Sequence, residues 1–477
     1  MWRKWLPFVA VALMRARFFF SPLTTDEGGY LAVARAWFGG ADLYGQVWVD
    51  RPQGLLVLYG VLDKIGLGST NGVRLLALVA CCLAMVACGH IAWVLAGERA
   101  RVPAMWAVGI ALSIPQIEGF IANAELLSCA VGAVSLAAAL LAVWHRETPD
   151  VRLLVVAGIL GGLAVSIKQS GFDALVAGCL AVVITAVHEK WTLRSFVRAA
   201  VAVGIGVSVP VGLMVMHAAI TGFHDWWYAV AGVRLEHKSV LASADWQKLR
   251  TTGRAVAPIV AVPLVVASVL WVRMFRGRAS VAVLLGAWSL VAAGAFLMGG
   301  LFHRHYWVIL MVPFGTIVGV AVSTVRSRAI MVIAVAASLV IPISSTVSAV
   351  RMSDARVSTE LNDDKRLLIN EHVAHWFADN HPYHGTVWVM CASSALYAHL
   401  HQAPPFRYSW FAYFAATPDA LPMLREWLSG PDAPEFIVAM QSNKKCDPSG
   451  ALGEIVASQW KQVGTVDGRK ILRRSNS

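Results

Sequence analysis

The chain has 477 residues, of which 57% are hydrophobic and only 14% charged, with a formal net charge of +12 and a mean hydropathy of +0.62. Soluble globular domains carry roughly 45–50% apolar and about 25% charged residues, so this composition excludes an ordinary soluble protein. Most Lys and Arg residues fall in short connectors between apolar runs, and the positive charge therefore calls for no nucleic-acid partner.

The basic start, Met1-Trp2-Arg3-Lys4-Trp5, resembles that of a signal peptide. The apolar stretch behind it runs into Arg15, Arg17 and Phe18-Phe19-Phe20 with no small-residue cleavage site, which predicts an uncleaved first span. Runs suited to spans of ~20 residues recur to about Val350. They predict about 11 helices, at 5–20, 74–96, 102–118, 123–144, 152–168, 170–188, 197–220, 255–272, 281–300, 306–324 and 329–349. Every second connector is basic: Arg99 and Arg101; Arg146 and Arg152; Lys190, Arg194 and Arg198; Arg273, Arg276 and Arg278; Arg326 and Arg328. Short basic loops stay cytoplasmic. The pattern closes only if residues 52–66 do not cross, and a helix there reaches roughly 20 Å against ~30 Å of hydrocarbon. A juxtamembrane helix against the outer leaflet is expected instead. The N-terminus is then cytoplasmic in a multi-pass plasma (inner) membrane protein, and the polar residues gather on the outer face.

The first outer loop, about 21–73, opens with Thr24-Thr25-Asp26-Glu27-Gly28-Gly29-Tyr30. A helix N-cap explains this pattern by itself. A base at the membrane surface explains it too, and a cap can hold a carboxylate in place. Trp48-Val49-Asp50-Arg51-Pro52-Gln53-Gly54 reads as an interfacial anchor, or as an arginine fork for a surface phosphate. Arginines such as Arg15 and Arg17 in a span usually serve a purpose. Asn123 and Glu125 open one span, and Lys168-Gln169 close a glycine-rich one, where snorkelling is the default. His224-Asp225-Trp226-Trp227-Tyr228, in the 221–254 loop, reads as an interfacial amphipathic segment. In His303-Arg304-His305-Tyr306-Trp307 the aromatic belt accounts for the last two residues but not for two histidines around an arginine. A zinc site there lacks a third ligand, so no metal site is assigned. No phosphate loop, nucleophile elbow or His-Glu-x-x-His motif occurs.

Residues 351–477 read as an extracytoplasmic α/β domain: a helix from about Asp354, a strand at 386–390, a helix at 393–399, a strand at 435–440, and a hairpin of 462–466 with 470–472. The aromatic run from Phe406 to Phe414 either stacks on sugars or packs on the membrane domain, the second being favoured. Cys81, Cys82, Cys88, Cys129 and Cys179 lie in predicted spans as small apolar residues. Cys391 and Cys446 alone lie in the exported part, where an oxidising exterior permits a disulfide.

Taken in order, Asp-Glu-Gly-Gly-Tyr, Asp50-Arg51-Pro52-Gln53-Gly54, Asn123-Ala-Glu125, Gly-Gly-Leu-Ala-Val-Ser-Ile-Lys168-Gln169 and His305-Tyr306 resemble the GT-C glycosyltransferases. The similar branch is that of dolichyl-phosphate-mannose–protein mannosyltransferases and lipid A aminoarabinose transferases, over about residues 1–350. The resemblance implies a membrane domain of that fold and transfer of a sugar from a polyprenyl-phosphate donor to a glycan, lipid or protein acceptor. It implies Asp26, with Glu27 beside it, as the catalytic pair, and Arg51, Lys168, His305, Tyr306 and Arg15 against the donor phosphate. Tyr30, Asn123, Glu125, Gln169 and His303 are expected around the substrate. A divalent cation (Mg or Mn) is compatible but not demanded. Relatives often carry Lys-Pro-Pro where this chain has Arg51-Pro52-Gln53, which keeps the cation and changes its geometry. A transporter or flippase would place charges near mid-span and show repeats, and neither is seen. A noncatalytic envelope-assembly scaffold is the other rival.

Overall fold

The structure is a computed structural model that describes residues 5–236, 245–325, 327–383, 385–391 and 394–475. The basic start at residues 1–4, Arg326, Ser393, and residues 237–244 of the predicted 221–254 loop lie outside the described residues.

Helix α1 (Leu6–Ala16) ends in a 3-10 turn at Arg17–Phe20, and α2 (Thr25–Phe38) departs from it at 77°. The start of α2 is a capping box: Thr24 Oγ1 accepts from the Glu27 amide at 3.2 Å, and the Glu27 carboxylate accepts from the Thr24 amide at 3.1 Å. Thr-x-x-Glu encodes that reciprocal pair directly. Helix α3 (Gln53–Leu62) follows Pro52 and has 10 residues, roughly 15 Å, too short to span alone. It runs into a π turn, Asp63–Leu67, which breaks at Gly66 with φ 81°.

The bundle continues with α4 (Thr70–Ala96), α5 (Glu98–Leu112), α6 (Ala124–Val143), α7 (Val151–Ile167), α8 (Asp173–His188) and α9 (Leu193–Thr221). Among the described residues, six helices are long and apolar enough to cross a membrane: Thr70–Ala96, Ala124–Val143, Leu193–Thr221, Trp246–Val269, Ala279–Met298 and Arg304–Ser323. Val151–Ile167, Asp173–His188 and Val335–Val350 are shorter apolar helices. Helices α7 and α9 meet backbone to backbone: a Cβ on Gly158 would lie 2.3 Å from Val203 O, and one on Gly206 2.2 Å from Val155 O. Small residues at such crossings substitute close packing for a hydrophobic drive that lipid cannot supply. On the outer side of α9, Val197, Ile205, Leu213 and Ile220 are exposed, as an apolar solvent requires.

Two boundaries differ from the expected spans. Helix α5 stops at Leu112 instead of 118, because Pro115 cannot continue the ladder. The chain then makes a 3-10 turn and a left-handed residue at Glu118 (φ 54°). The Asp245–Gly277 helix begins well before residue 255, inside the segment expected to be an interfacial loop. Trp307 Nε1 donates to Thr252 Oγ1 at 3.1 Å and holds this extension against the next helix.

Beyond the Arg328–Val350 helix, strands β1 (Val387–Val389), β2 (Phe436–Val438), β3 (Trp460–Val466) and β4 (Arg469–Arg474) form a sheet of order β1-β2-β4-β3. The first pair is parallel and the other two antiparallel. Val373 and Phe377 of the Arg366–Asn380 helix pack on Val387, Phe436 and Ile471, and Ala32 of α2 belongs to the same core. Helix α2 is therefore shared between the bundle and the sheet layer. Cys391 and Cys446 are disulfide-bonded, with Cα atoms 5.6 Å apart.

Candidate active site

A cavity of about 1020 Å³ opens where the start of α2, the Asp50-Arg51 turn, the 297–306 segment and the C-terminal region meet. Of the residues expected at a site, Asp26, Arg51, Gln169, His303, His305 and Tyr306 line it. Glu27, Arg15, Tyr30, Asn123, Glu125 and Lys168 do not; all are buried behind the wall.

Asp26 sits in the first turn of α2, where the capping box fixes the backbone. Its Oδ1 accepts a hydrogen bond from Trp410 Nε1 at 3.3 Å. Burial pushes its carboxyl above the usual range; His305 and Arg51 act against that, and Glu125 and Asp50 add to it. A carboxyl set this way is a better base than an ordinary surface aspartate.

Arg51 forms an ion pair with Asp50 at 2.5 Å. The turn is held by Tyr44 OH donating to Arg51 O (2.8 Å) and Gln169 Nε2 donating to Asp50 O (2.9 Å). Gln169 Nε2 also donates to Val230 O at 3.0 Å, so this side chain ties the turn to the 228–232 segment. Tyr30 is a support: the Arg51 guanidinium lies 5.8 Å from its ring centroid.

Opposite lies a chain of alternating groups. His305 Nδ1 is 2.7 Å from Glu118 Oε2, and its Nε2 is 4.0 Å from Glu125 Oε1. Glu125 is ion-paired with Lys168, whose Nζ lies 4.5 Å from the Tyr306 ring centroid. The His303 ring is parallel to His305 within 2°, with centroids 5.4 Å apart. Lys248 Nζ donates to His303 Nδ1 at 2.7 Å. Burial, then His305 and Lys248, push His303 well below its ordinary range.

Several residues expected at the site are engaged by partners elsewhere in the fold. Glu27 is ion-paired with Arg74 and accepts from the Ala122 amide at 2.8 Å; it locks α2 to the bundle and does not face the cavity. Arg15 donates to Leu112 O at 3.1 Å and to Gly119 O, bracing the irregular 113–123 segment. Arg17 pairs with Asp354 at 2.6 Å. Asn123 is the N-cap of α6, its Oδ1 accepting from the Leu126 amide at 2.8 Å. Lys168 neutralises Glu125 in place of reaching the cavity. Arg15, Glu27, Asn123 and Lys168 are buried, where a polar group needs a partner.

Sequence reasoning missed Glu118, Lys248, Asp364, Arg366 and Lys445 on the wall; Trp410, also there, belongs to the aromatic run it had singled out. Thr25 Oγ1 donates to Asp364 Oδ2 at 3.0 Å, and Arg366 pairs with Asp364 at 2.7 Å. Arg304 Nη1 donates to Glu360 O and Leu361 O at 2.6 and 3.0 Å, closing the seam between the two layers. Pro115 was a usable signal that Glu118 lies outside a span; nothing local marked the others. Among the described residues, no group of three or more His, Cys, Asp or Glu is arranged to hold a metal ion.

No protein-family model matches the chain, and no curated protein matches it. Solved structures do. ArnT from Cupriavidus metallidurans bound to undecaprenyl phosphate superposes with a TM-score of 0.66 at 16% identity, over 99% of this chain and 98% of that one. The apo form of that protein has a TM-score of 0.67 at 16% identity, covering 98% and 97%. The archaeal oligosaccharyltransferase AglB from Archaeoglobus fulgidus, in complex with an inhibitory peptide and a dolichol-phosphate, has a TM-score of 0.55 at 12% identity over 99% of this chain and 74% of its own. Both proteins are GT-C superfamily members. The chain is a helical membrane protein, and its fold is the GT-C fold. Its likeness to ArnT runs nearly end to end, through the sheet layer as well as the bundle.

Proposed function

We propose that this protein transfers a sugar from a polyprenyl-phosphate carrier to an acceptor at the outer face of the membrane. The observation that carries the reading is Asp26, a carboxylate shifted toward basicity, on the wall of a cavity that also presents Arg51, His305 and Lys248. ArnT bound to undecaprenyl phosphate and AglB bound to a dolichol-phosphate support a lipid-phosphate donor.

In the proposed step an acceptor hydroxyl oxygen attacks the anomeric carbon while its proton passes to Asp26. The bond from that carbon to the phosphate oxygen breaks, and its electron pair leaves on the polyprenyl phosphate. One displacement inverts the anomeric centre. Arg51 and His305 stabilise charge gathering on the phosphate, and a fixed cation is worth most where water is excluded. For Arg51 to bind phosphate, the anion must compete with Asp50, and the fork of a guanidinium allows both contacts. A divalent cation, if bound, would supply further charge stabilisation for the departing phosphate, although no group of three or more His, Cys, Asp or Glu among the described residues is arranged to hold one.

The same reading takes residues 1–350 as an approximately 11-span membrane domain in the plasma (inner) membrane. Its basic connectors and N-terminus are cytoplasmic, and residues 351–477 are extracytoplasmic. The decisive experiment is transfer by purified protein in lipid from a panel of polyprenyl-phosphate sugars to envelope extract. Transfer by wild type that collapses in a folded Asp26→Asn variant supports the reading. Transfer that survives moves the base elsewhere. No transfer from a panel in which a control GT-C enzyme is active favours a scaffold.

A further inference from the structure

The segment from Phe406 to Phe414 threads between the two halves of the proposed site. Trp48 N donates to Arg407 O at 3.2 Å, and Trp48 and Tyr408 form an isolated β-bridge two residues before Asp50. Arg407 pairs with Asp225 at 2.9 Å. Three residues on from Arg407, Trp410 reaches Asp26. Its indole is buried, lines the cavity, and lies 5.9 Å from the ring of Tyr30, which in turn underlies Arg51.

The start of α2 is shaped to receive this strap. A Cβ on Gly29 would lie 2.2 Å from Trp410 Cζ2, and one on Gly28 would lie 2.6 Å from Ala395 Cα. Ser394 Oγ donates to Thr25 O at 3.0 Å. The two glycines of Asp-Glu-Gly-Gly-Tyr therefore let the C-terminal region approach the first turn of α2 until an indole N–H meets the carboxylate. No donor to Asp26 Oδ2 is found among the described residues, so the indole orients one oxygen and leaves the other for chemistry.

We infer that Trp410 is a positioning residue for the base, which makes the C-terminal region part of the catalytic apparatus; this rests on Asp26 acting as that base. An indole N–H is a donor only, so it serves the ionised carboxylate and disfavours the protonated one. A phenyl ring fills the same space without the donor. Trp410 acts through Asp26 and touches no reacting atom.

The test compares wild type, Trp410→Phe, Trp410→His and Asp26→Asn in the lipid-based transfer assay, with kcat, donor KM and pH profile measured for each. Trp410→Phe is expected to lose about tenfold or more in kcat, the scale of one charge-assisted hydrogen bond, with little change in donor KM. Its acid limb should move to higher pH, because the charged form of Asp26 has lost a donor. His305, Arg51, Glu125 and Asp50, which also act on Asp26, are untouched by the change. Trp410→His, which keeps a ring N–H, should recover part of the loss. An inactive Asp26→Asn beside a Trp410→Phe with wild-type kcat and pH profile overturns the inference alone. An active Asp26→Asn overturns the base assignment and the inference with it. Should Trp410→Phe not fold, benzothienylalanine at position 410, isosteric with tryptophan but lacking the N–H, is read by the same two criteria.

Discussion

At the scale of single residues, the adjacent carboxylates Asp26 and Glu27 have opposite tasks. Glu27 is saturated by Arg74, the Thr24 amide and hydroxyl, and the Ala122 amide. Glu27→Ala leaves Arg74 buried without its counter-charge, and breaking a pair of that kind costs about 3–5 kcal/mol. Thermal unfolding in detergent should show the loss, with the same direction in Arg74→Met. Asp26 behaves oppositely. Its folded pKa lies above the unfolded value, chiefly through burial, so its ionised form is disfavoured in the native state. That penalty is absent below the unfolded pKa, grows as pH rises through the folded one, and is full above it. Asp26→Asn is therefore expected to raise Tm at neutral pH, with the gain vanishing in acid, while turnover is lost. In the wild type, the acid limb of the rate profile should lie above the ordinary carboxylate range.

At the scale of elements, α2 packs closely against the Ala395–His399 helix next to the cavity-lining start of α2. Gly28→Ala forces a Cβ to 2.6 Å from the Cα of Ala395, a backbone atom that cannot rotate away. Overpacking of this kind costs about 1–3 kcal/mol, and limited proteolysis should show the C-terminal region loosening before the bundle unfolds. The Cys391–Cys446 bridge acts on the same wall, since Lys445 and Phe411 line the cavity beside it. It closes a loop with a sequence separation of 55, which the chain-entropy account converts to about 4 kcal/mol of constraint on the unfolded chain. Without reductant, a maleimide probe should label neither cysteine in denaturant; with reductant, both. The Cys391→Ser, Cys446→Ser pair should lower the unfolding temperature of the C-terminal region.

For the whole molecule, the distribution of charge sets orientation. Under the proposed orientation, the connectors with Arg99, Arg101, Lys190 and Arg194 lie on one side, and the cavity with the sheet layer on the other. Single cysteines placed at Arg99 and Lys190 in a cysteine-depleted background should react with an impermeant reagent only after the membrane is opened. One at Asp419 should react from outside in intact cells. The reverse pattern would put the cavity on the cytoplasmic face.

Much of this was legible without coordinates, for a physical reason that differs by feature. Apolar runs report the solvent each segment meets, so the helical membrane bundle is written locally. Thr24 and Glu27 state the start of α2 because capping is satisfied within one turn. Short continuous apolar runs marked the strands Val387–Val389 and Phe436–Val438. Which carboxylate faces the cavity and which one anchors could not be read this way. That depends on Arg74 and Ala122, 47 and 95 positions along the chain from Glu27, and on Trp410, 384 positions from Asp26. Lys168 and Arg51 look alike as candidate phosphate ligands in the sequence. Both are buried and ion-paired, Arg51 with Asp50 and Lys168 with Glu125, but only Arg51 lines the cavity. The sequence by itself determined the solvent of each segment and the local starts of its helices. Only the tertiary structure decided which polar groups line the cavity, since that depends on contacts between residues far apart in the chain.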